Sequence, residues 1–295
     1  MKDDFYRRFE QSFRGHRAEI KERLQVYEGF VLPLSNIYPE ALAIDLGCGR
    51  GEWLETLRDW GFPVLGVDLD QAMLADCLAL GLNVRAQDAI AALNDLADDS
   101  VCLVTAIHVV EHIPFDDLRT LVSEAHRVLK PGGLLILETP NPENIVVGSS
   151  NFYIDPTHNN PLPPGLLSYI PRSYGFATTM ALRLQESKAL RQNPSPRLQD
   201  IFYGVSPDYA VIAQKSASPE ILAQFKSAFA IDTGLTLETL CDRYDQAIEQ
   251  NMLKLRQEMQ ALLNDTYNST SWKITRPLRA LALALDQIKA LFTRK

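Results

Sequence analysis

The sequence predicts an α/β fold, a parallel sheet covered by helices on both faces, followed by a helical C-terminal extension. Three observations lead there. Between about residues 42 and 138, short apolar runs alternate with helix-like stretches. Those runs are apolar on both faces, as strands buried from both sides must be. After Lys215 no strand signal recurs, and the pattern turns helical. A chain of 295 residues with 46% hydrophobic and 22% charged residues has an ordinary globular balance. Its length suits one large domain with an extension, or two domains.

The elements follow in order. Residues 1–40 read as an N-terminal helical cap, and "MKDDFYRRFEQSFRGHR" is too charged for a secretory signal. Strands are expected at "LAIDL" (42–46), "VLGV" (64–67), "LNVR" (82–85), "VCLVTAI" (101–107) and "GLLILET" (133–139). Helical stretches such as "EWLETLRDW" and "DLRTLVSEAHRVLK" separate them, and "KPGG" at 130–133 ends a helix and turns into the fifth strand. Two further strands are expected around 175–184 and 208–215, on either side of an irregular insert. "SASPE" reads as a linker that closes a domain over 41–216. A helical, short coiled-coil extension over 217–269 and a basic amphipathic tail over 270–295 complete the plan. From Cys241 to Leu262 the apolar positions Tyr244, Ile248, Met252, Leu255 and Met259 step by three or four, with a mean step of 3.5. That is the period of a coiled-coil seam, and it fits self-association through 241–262 or packing onto the domain.

Composition excludes several classes. A net charge of −8 argues against a nucleic-acid binder. No apolar run approaches the roughly 18 residues of a membrane-spanning helix. Cys48, Cys77, Cys102 and Cys241 show no metal-ligand spacing and read as reduced thiols of a cytoplasmic protein.

The first strand runs into "DLGCGRGEW", where glycines at 47, 49 and 51 bare the backbone at a strand-to-helix turn. The spacing GxGxG differs from the dinucleotide fingerprint, and Asp45 precedes the first glycine by two residues. Asp68 ends the second strand, where a carboxylate can accept both hydroxyls of a ribose, and Asp88 follows the third, where an acid can take an adenine amino group. Each alone is compatible with a helix cap or a solvated loop. Together they lie at successive carboxyl ends of strands, where ligands of such folds bind.

"DLGCGRGEW", "GVDLD", "AQDAI", "HVVEHIP" and "LKPGGLLILETPNP" resemble the successive motifs of class I S-adenosylmethionine-dependent methyltransferases, over roughly residues 40–215. The resemblance implies a Rossmann-like seven-stranded sheet with the last strand antiparallel and S-adenosylmethionine as methyl donor. It implies that Gly47, Cys48, Gly49 and Gly51 bound the methionine moiety and that Asp68, with Leu69 beside it, holds the ribose. Asp88 and Ala89 would flank the adenine, and the segment from Ile107 and His108 would line the amino-acid end.

An acceptor site is read from "NFYIDPTHNNPLPPG", Asn151 to Gly165, which its prolines keep out of a helix interior. A polar loop just past the fifth strand lies beside the methyl end of the donor. An alcohol acceptor needs help with its proton, and His158 is the expected general base, with Asp155 to orient it. Asn159 and Asn160 are candidates to bind neighbouring hydroxyls. The competing reading has Asp155 and Thr157 capping a turn while His158 packs on Tyr153. His108 is the second candidate base, His112 is expected to pack at a helix start, and no metal constellation is apparent.

A second resemblance concerns the acceptor. "FYRRFEQSFRGHRAEIKERLQVY", "GSSNFYIDPTHNNPLPP" and "RLQDIFYGVSPDYAVIAQK" are similar to methyltransferases of bacterial surface-polysaccharide assembly, including O-antigen chain terminators. "NSTSWKITRPLRAL" is similar to a tail shared with glycosyltransferases of that pathway, which implies those enzymes as partners. The implied acceptor is a sugar hydroxyl of a glycan or of its lipid-linked precursor. No kinase domain accompanies it, which favours a plain O-methyl over a methyl phosphate. Phe152, Tyr153, Phe202 and Tyr203 suit stacking on sugar faces. In 270–295, six Lys or Arg against Asp286 alone, and Leu278, Leu281, Leu285, Ile288 and Phe292 on one face after Trp272, suit an anionic inner-membrane surface and equally a helix docked on the protein's own core or on a partner. Methylation of a small, quinone-like molecule and a cofactor-binding scaffold are the alternatives.

Overall fold

The computed structural model describes residues 15–292. Its strands are β1 Leu42–Leu46, β2 Val64–Asp68, β3 Val84–Ala86, β4 Val101–Ile107, β5 Leu129–Pro140, β6 Thr178–Leu184 and β7 Asp208–Gln214. They form one seven-stranded sheet in the order β3-β2-β1-β4-β5-β7-β6. β1 to β5 run parallel, and β7 is antiparallel to both β5 and β6. The order reverses between β1 and β4, so a crevice opens above their carboxyl ends.

Each strand points alternate residues to two separate cores. On one face Ile44, Leu46, Val104, Leu135, Leu137 and Val211 are buried with one another. On the other, Ala43, Leu103, Leu134, Ile136 and Ile212 pack together. α1 (Arg17–Leu24), α2 (Glu28–Ile37), the 3₁₀ turn Gln25–Tyr27 between them and α3 (Glu52–Asp59) cover the second face through Tyr27, Phe30, Leu34, Trp53 and Leu57. α4 (Gln71–Ala79) packs Leu74 and Cys77 against Cys48 and Leu54. α5 (Ala89–Asn94), α6 (Phe115–Val128), α7 (Ile145–Ser149) and α8 (Pro164–Ser173) follow. α6 shows why such a segment is helical and where it docks. Leu118, Leu121, Val122 and Ala125 recur at helical spacing and are buried on the first face. Asp116 and Asp117 open the helix and Arg127 closes it, each matching the sign of its dipole end.

Three boundaries differ from the sequence expectation. β3 begins at Val84, because Leu82 is spent on ending α4. Gly81 takes a left-handed φ of 68°, the Leu82 N–H donates to the Cys77 carbonyl at 3.0 Å, and the Leu82 side chain joins Leu74 and Cys77. "KPGG" lies inside β5, with α6 ended at Val128. The strand bulges there, since Val101 faces Leu129 while Leu103 already faces Leu134. Gly132 and Gly133 are tied to Lys215 by backbone hydrogen bonds of 3.1 and 3.0 Å. The boundary drawn at 216 lies within a compact unit that continues to Leu240. α11 (Pro219–Ala223), preceded by α9 (Lys188–Arg191) and α10 (Leu198–Tyr203), leads to Phe225 and Ala228, both buried in the second core. Apolar burial so close to "SASPE" holds the segment to the sheet.

The second compact unit comprises 194–196 and 241–295. The seam positions 241–262 fall on one 32-residue helix, α12 (Leu237–Asn268). Ser269 caps α13 (Thr270–Ile274), and α14 (Arg276–Phe292) carries Leu278, Leu281, Leu285 and Ile288. The Arg279 guanidinium lies 3.7 Å from the centre of the Trp272 ring. No described helix is long and apolar enough to cross a membrane. The side chain of Phe292 lies outside the described residues.

Candidate active site

The glycine turn after β1 is built on left-handed backbone. Gly47, Gly49 and Gly51 have φ of 72°, 51° and 82°. A Cβ on Gly47 would stand 2.4 Å from a Val109 methyl, so the turn tolerates no side chain there. Asp68 holds the turn from the end of β2. One carboxylate oxygen accepts the Gly49 N–H at 2.9 Å and the other the Asp70 N–H at 2.8 Å. A carboxylate oxygen has two acceptor sites, so each keeps one for a ligand hydroxyl. Leu69, next along, is 74% exposed.

Asp45 is buried under the turn and accepts from the Thr105 hydroxyl at 2.7 Å, which in turn takes the Trp53 indole N–H at 3.1 Å. Cys48 and Cys77 are buried, and the Cys77 thiol donates to the Gly49 carbonyl at 3.2 Å. Asp88 is the N-cap of α5, its Oδ1 accepting from Ile90 and Ala91 at 2.9 and 3.0 Å. Asp88 is exposed, and Ala89 follows it. These residues therefore occupy the ends of β1, β2 and β3, three neighbours in the sheet.

Ile107 and His108 close β4, the strand on the other side of β1. His108 has a left-handed φ of 55°, unusual for a side chain of this size. Its Nδ1 lies 3.3 Å from Glu111 Oε1 and its Nε2 3.4 Å from Glu138 Oε1. Desolvation in the crevice opposes charge on this 41%-exposed imidazole, but the two carboxylates outweigh it and hold His108 well above its ordinary range. Glu138 also accepts a hydrogen bond from the Tyr27 hydroxyl, across from α1 and α2.

A short 3₁₀ turn, Val110–His112, sets Glu111 and His112 beside the loop that follows β5. Asn159 joins the two loops: its N–H donates to the Glu111 carbonyl at 2.8 Å and its amide Nδ2 to the His112 carbonyl at 2.6 Å. His158 is thereby brought within 4.0 Å of Glu111, and its ring lies 4.7 Å from that of His112, edge to face. Its Nδ1 is 2.6 Å from the Phe152 carbonyl, so it carries the proton and Nε2 carries the lone pair. Glu111 is buried, and its Oε2 accepts from Thr139 at 2.9 Å. Burial would raise its carboxyl, but His108 and His112 hold it below the usual range. Burial lowers the His112 imidazole.

Parts of the sequence expectation need correcting here. Asp155 uses Oδ1 on the Thr157 N–H and hydroxyl, capping the turn, and its Oδ2 stands 4.0 Å from His158, beyond a hydrogen bond. His158 is oriented by the Phe152 carbonyl and stacks on Phe152, 4.5 Å away, while Tyr153 is exposed. Asn159 is committed to joining the loops, and Asn160 is exposed. His112 faces His158 and Thr157 rather than α6. Glu111, His112 and His158 also form a group able to hold a metal ion, which residue spacing did not show. Glu111 and Glu138 were not anticipated either; the adjacent Glu-His pair directly after a strand at the sheet's reversal point was the available signal.

Residues 44–137 match a family described as Methyltransferase domain. The chain is 32% identical over 133 residues to a probable S-adenosylmethionine-dependent methyltransferase of Mycolicibacterium smegmatis, covering 45% of this chain and 51% of that protein. It is 35% identical over 104 residues to a ubiquinone biosynthesis O-methyltransferase of Methylococcus capsulatus, covering 34% and 43% respectively. The chain thus spans about half the length of these curated relatives, or less. A crystal structure of an S-adenosylmethionine-dependent methyltransferase from Archaeoglobus fulgidus is similar throughout its length, covering 72% of this chain at 30% identity with a TM-score of 0.64. Its complete coverage, together with a glycine turn pinned by Asp68 and acids at successive strand ends, places the chain in the family of S-adenosylmethionine-dependent methyltransferases.

Proposed function

We propose that the protein transfers the methyl group of S-adenosylmethionine to a hydroxyl of a bacterial surface glycan or its lipid-linked precursor. Gly47, Cys48, Gly49 and Gly51 would bound the methionine end, Asp68 and Leu69 the ribose, Asp88 and Ala89 the adenine, and Ile107 and His108 the amino-acid end. The S–CH₃ bond breaks with its electron pair left on sulfur, the O–CH₃ bond forms, and the hydroxyl gives up its proton. The sulfonium is already a good leaving group, so the enzyme must chiefly align and activate the acceptor.

The observation that carries an oxygen acceptor is His158. Its Nδ1 is locked to the Phe152 carbonyl, which leaves the Nε2 lone pair to activate a hydroxyl. His108 is less suited to that task, since both its ring nitrogens face carboxylates, Glu111 at 3.3 Å and Glu138 at 3.4 Å. A glycan acceptor is supported by the open aromatic surface around the loop, where Tyr153 and Tyr203 are 59% and 63% exposed. Exposed rings suit the faces of sugars in an extended chain. The similarity to a ubiquinone biosynthesis O-methyltransferase favours a second reading, a phenolic small molecule as acceptor.

The deciding experiment supplies labelled S-adenosylmethionine with extracted surface glycans, or with phenolic quinone precursors. Label in a glycan, located by linkage analysis at one hydroxyl, is expected. Label only in the phenols would replace the glycan with the second reading. Donor binding without turnover on either would favour a scaffold.

A further inference from the structure

We propose that Glu111, His112 and His158 form a binding site for one divalent transition-metal ion. One donor atom from each lies within 4.8 Å of the others. The three come from two loops that Asn159 joins through two hydrogen bonds, so the group is held by the fold.

The hydrogen bonds around the cluster orient its ligands outward. Metal-bound histidines typically give their other ring N–H to a carbonyl or an anchored oxygen. His158 does so toward the Phe152 carbonyl at 2.6 Å. The Thr157 hydroxyl donates to Asp155 at 2.6 Å, so toward His112 Nδ1, 2.9 Å away, it acts as acceptor. Both rings then carry their proton on Nδ1 and keep Nε2 for a ligand. Thr139 occupies Glu111 Oε2 in the same way.

The independent sign of a ligand is Glu111 Oε1. It belongs to a side chain with 1% of its surface exposed and has no hydrogen-bond partner. His108 Nδ1 stands 3.3 Å away as a counter-charge without hydrogen-bond alignment, and 41% of the His108 side chain is open, so it has room to turn aside. A buried carboxylate oxygen that accepts no hydrogen bond keeps its acceptor sites for a cation, and the partly exposed His108 beside it supplies charge without occupying them. Two imidazoles and one carboxylate select zinc and its transition-metal neighbours over magnesium or calcium, which prefer oxygen alone. Metal–ligand bonds near 2.1 Å require the three side chains to close by about an ångström, which rotation about their own bonds provides.

Three protein ligands leave a position open, as in catalytic rather than structural sites. This part rests on the O-methyl reading above: the acceptor hydroxyl fills that position and is acidified by the ion, its proton passing to solvent. His158 then activates the hydroxyl through the metal.

The test strips the full-length protein with chelator and titrates it with Zn²⁺ by calorimetry and with Co²⁺ by visible absorption. One ion per chain is expected, with a Co²⁺ spectrum showing nitrogen ligation. His112→Ala and His158→Ala should each weaken Zn²⁺ by more than the roughly 10–100-fold that loss of a supporting residue costs. S-adenosylmethionine affinity should survive in both and thereby report an intact fold. Failure of the unaltered protein to bind either ion, or affinity unchanged in both variants, overturns the proposal. Zn²⁺ bound at these residues without methyl transfer to any hydroxyl would leave the metal site standing and defeat the O-methyl reading.

Discussion

Asp68→Ala is the perturbation whose consequence can be worked furthest. The carboxylate receives the Gly49 and Asp70 N–H groups at 2.9 and 2.8 Å and retains one acceptor site on each oxygen. Binding of the donor's ribose would fill both. Hydrogen bonds to a charged group contribute about 1.5–3 kcal/mol each, so losing two costs about 3–6 kcal/mol at most. At about 1.4 kcal/mol per factor of ten, affinity should fall by roughly 10²–10⁴. The loop bonds add to this, because an unpinned Gly49 no longer holds the turn in its binding shape. Asp68→Asn separates the contributions. It keeps the size, but its amide must turn N–H groups toward one of the two backbone donors, so it should recover little. Calorimetric titration with S-adenosylmethionine and with S-adenosylhomocysteine measures both variants. An affinity within about threefold of the unaltered protein would refute the assignment of Asp68, whatever the activity.

Three further outcomes are expected. His158→Ala should lower turnover by roughly 10²–10⁴ while donor affinity stays near its original value, as single-turnover kinetics and calorimetry would show; preserved turnover would remove His158 from the chemistry. Burial beside Phe176 lowers the His126 imidazole, so stability on its account is full above its ordinary value near 6.5 and is lost as pH falls below it. His126→Gln should flatten that acid loss in denaturant melts, and an unchanged slope would contradict it. As a hypothesis about the tail, Lys273→Gln and Arg276→Gln should each remove about 1 kcal/mol of attraction to anionic vesicles, and salt should mimic them. Absence of vesicle binding by the unaltered protein at low salt would end the membrane reading.

Much of the crevice at the strand ends was legible from residue order. Strands buried on both faces must be apolar throughout, so β1, β2, β4 and β5 announced themselves, and the residue after each had to lie at the crevice. Gly47 and Asp68 were expected at such strand ends in this way, with no knowledge of their partners, and the structure places them there. The misplaced edges have a common cause. Leu82 and "KPGG" look local, yet what they do depends on contacts with Cys77 and Lys215, which periodicity cannot report.

Acceptor chemistry was legible only in part. The sequence by itself determined that a polar, proline-stiffened loop carrying His158 follows β5, because proline geometry and strand order are properties of the chain. Only the tertiary structure decided which hydrogen-bonding capacity in that loop is already used. Asp155 is spent on Thr157, Asn159 on His112, and the His158 proton on Phe152. It also decided that Glu111 and His112, 47 and 46 residues before His158, stand beside it. A side chain's chemistry depends on which of its atoms remain unpaired after folding, and that is settled by neighbours distant in sequence, which the pairing of β4 with β5 brings together.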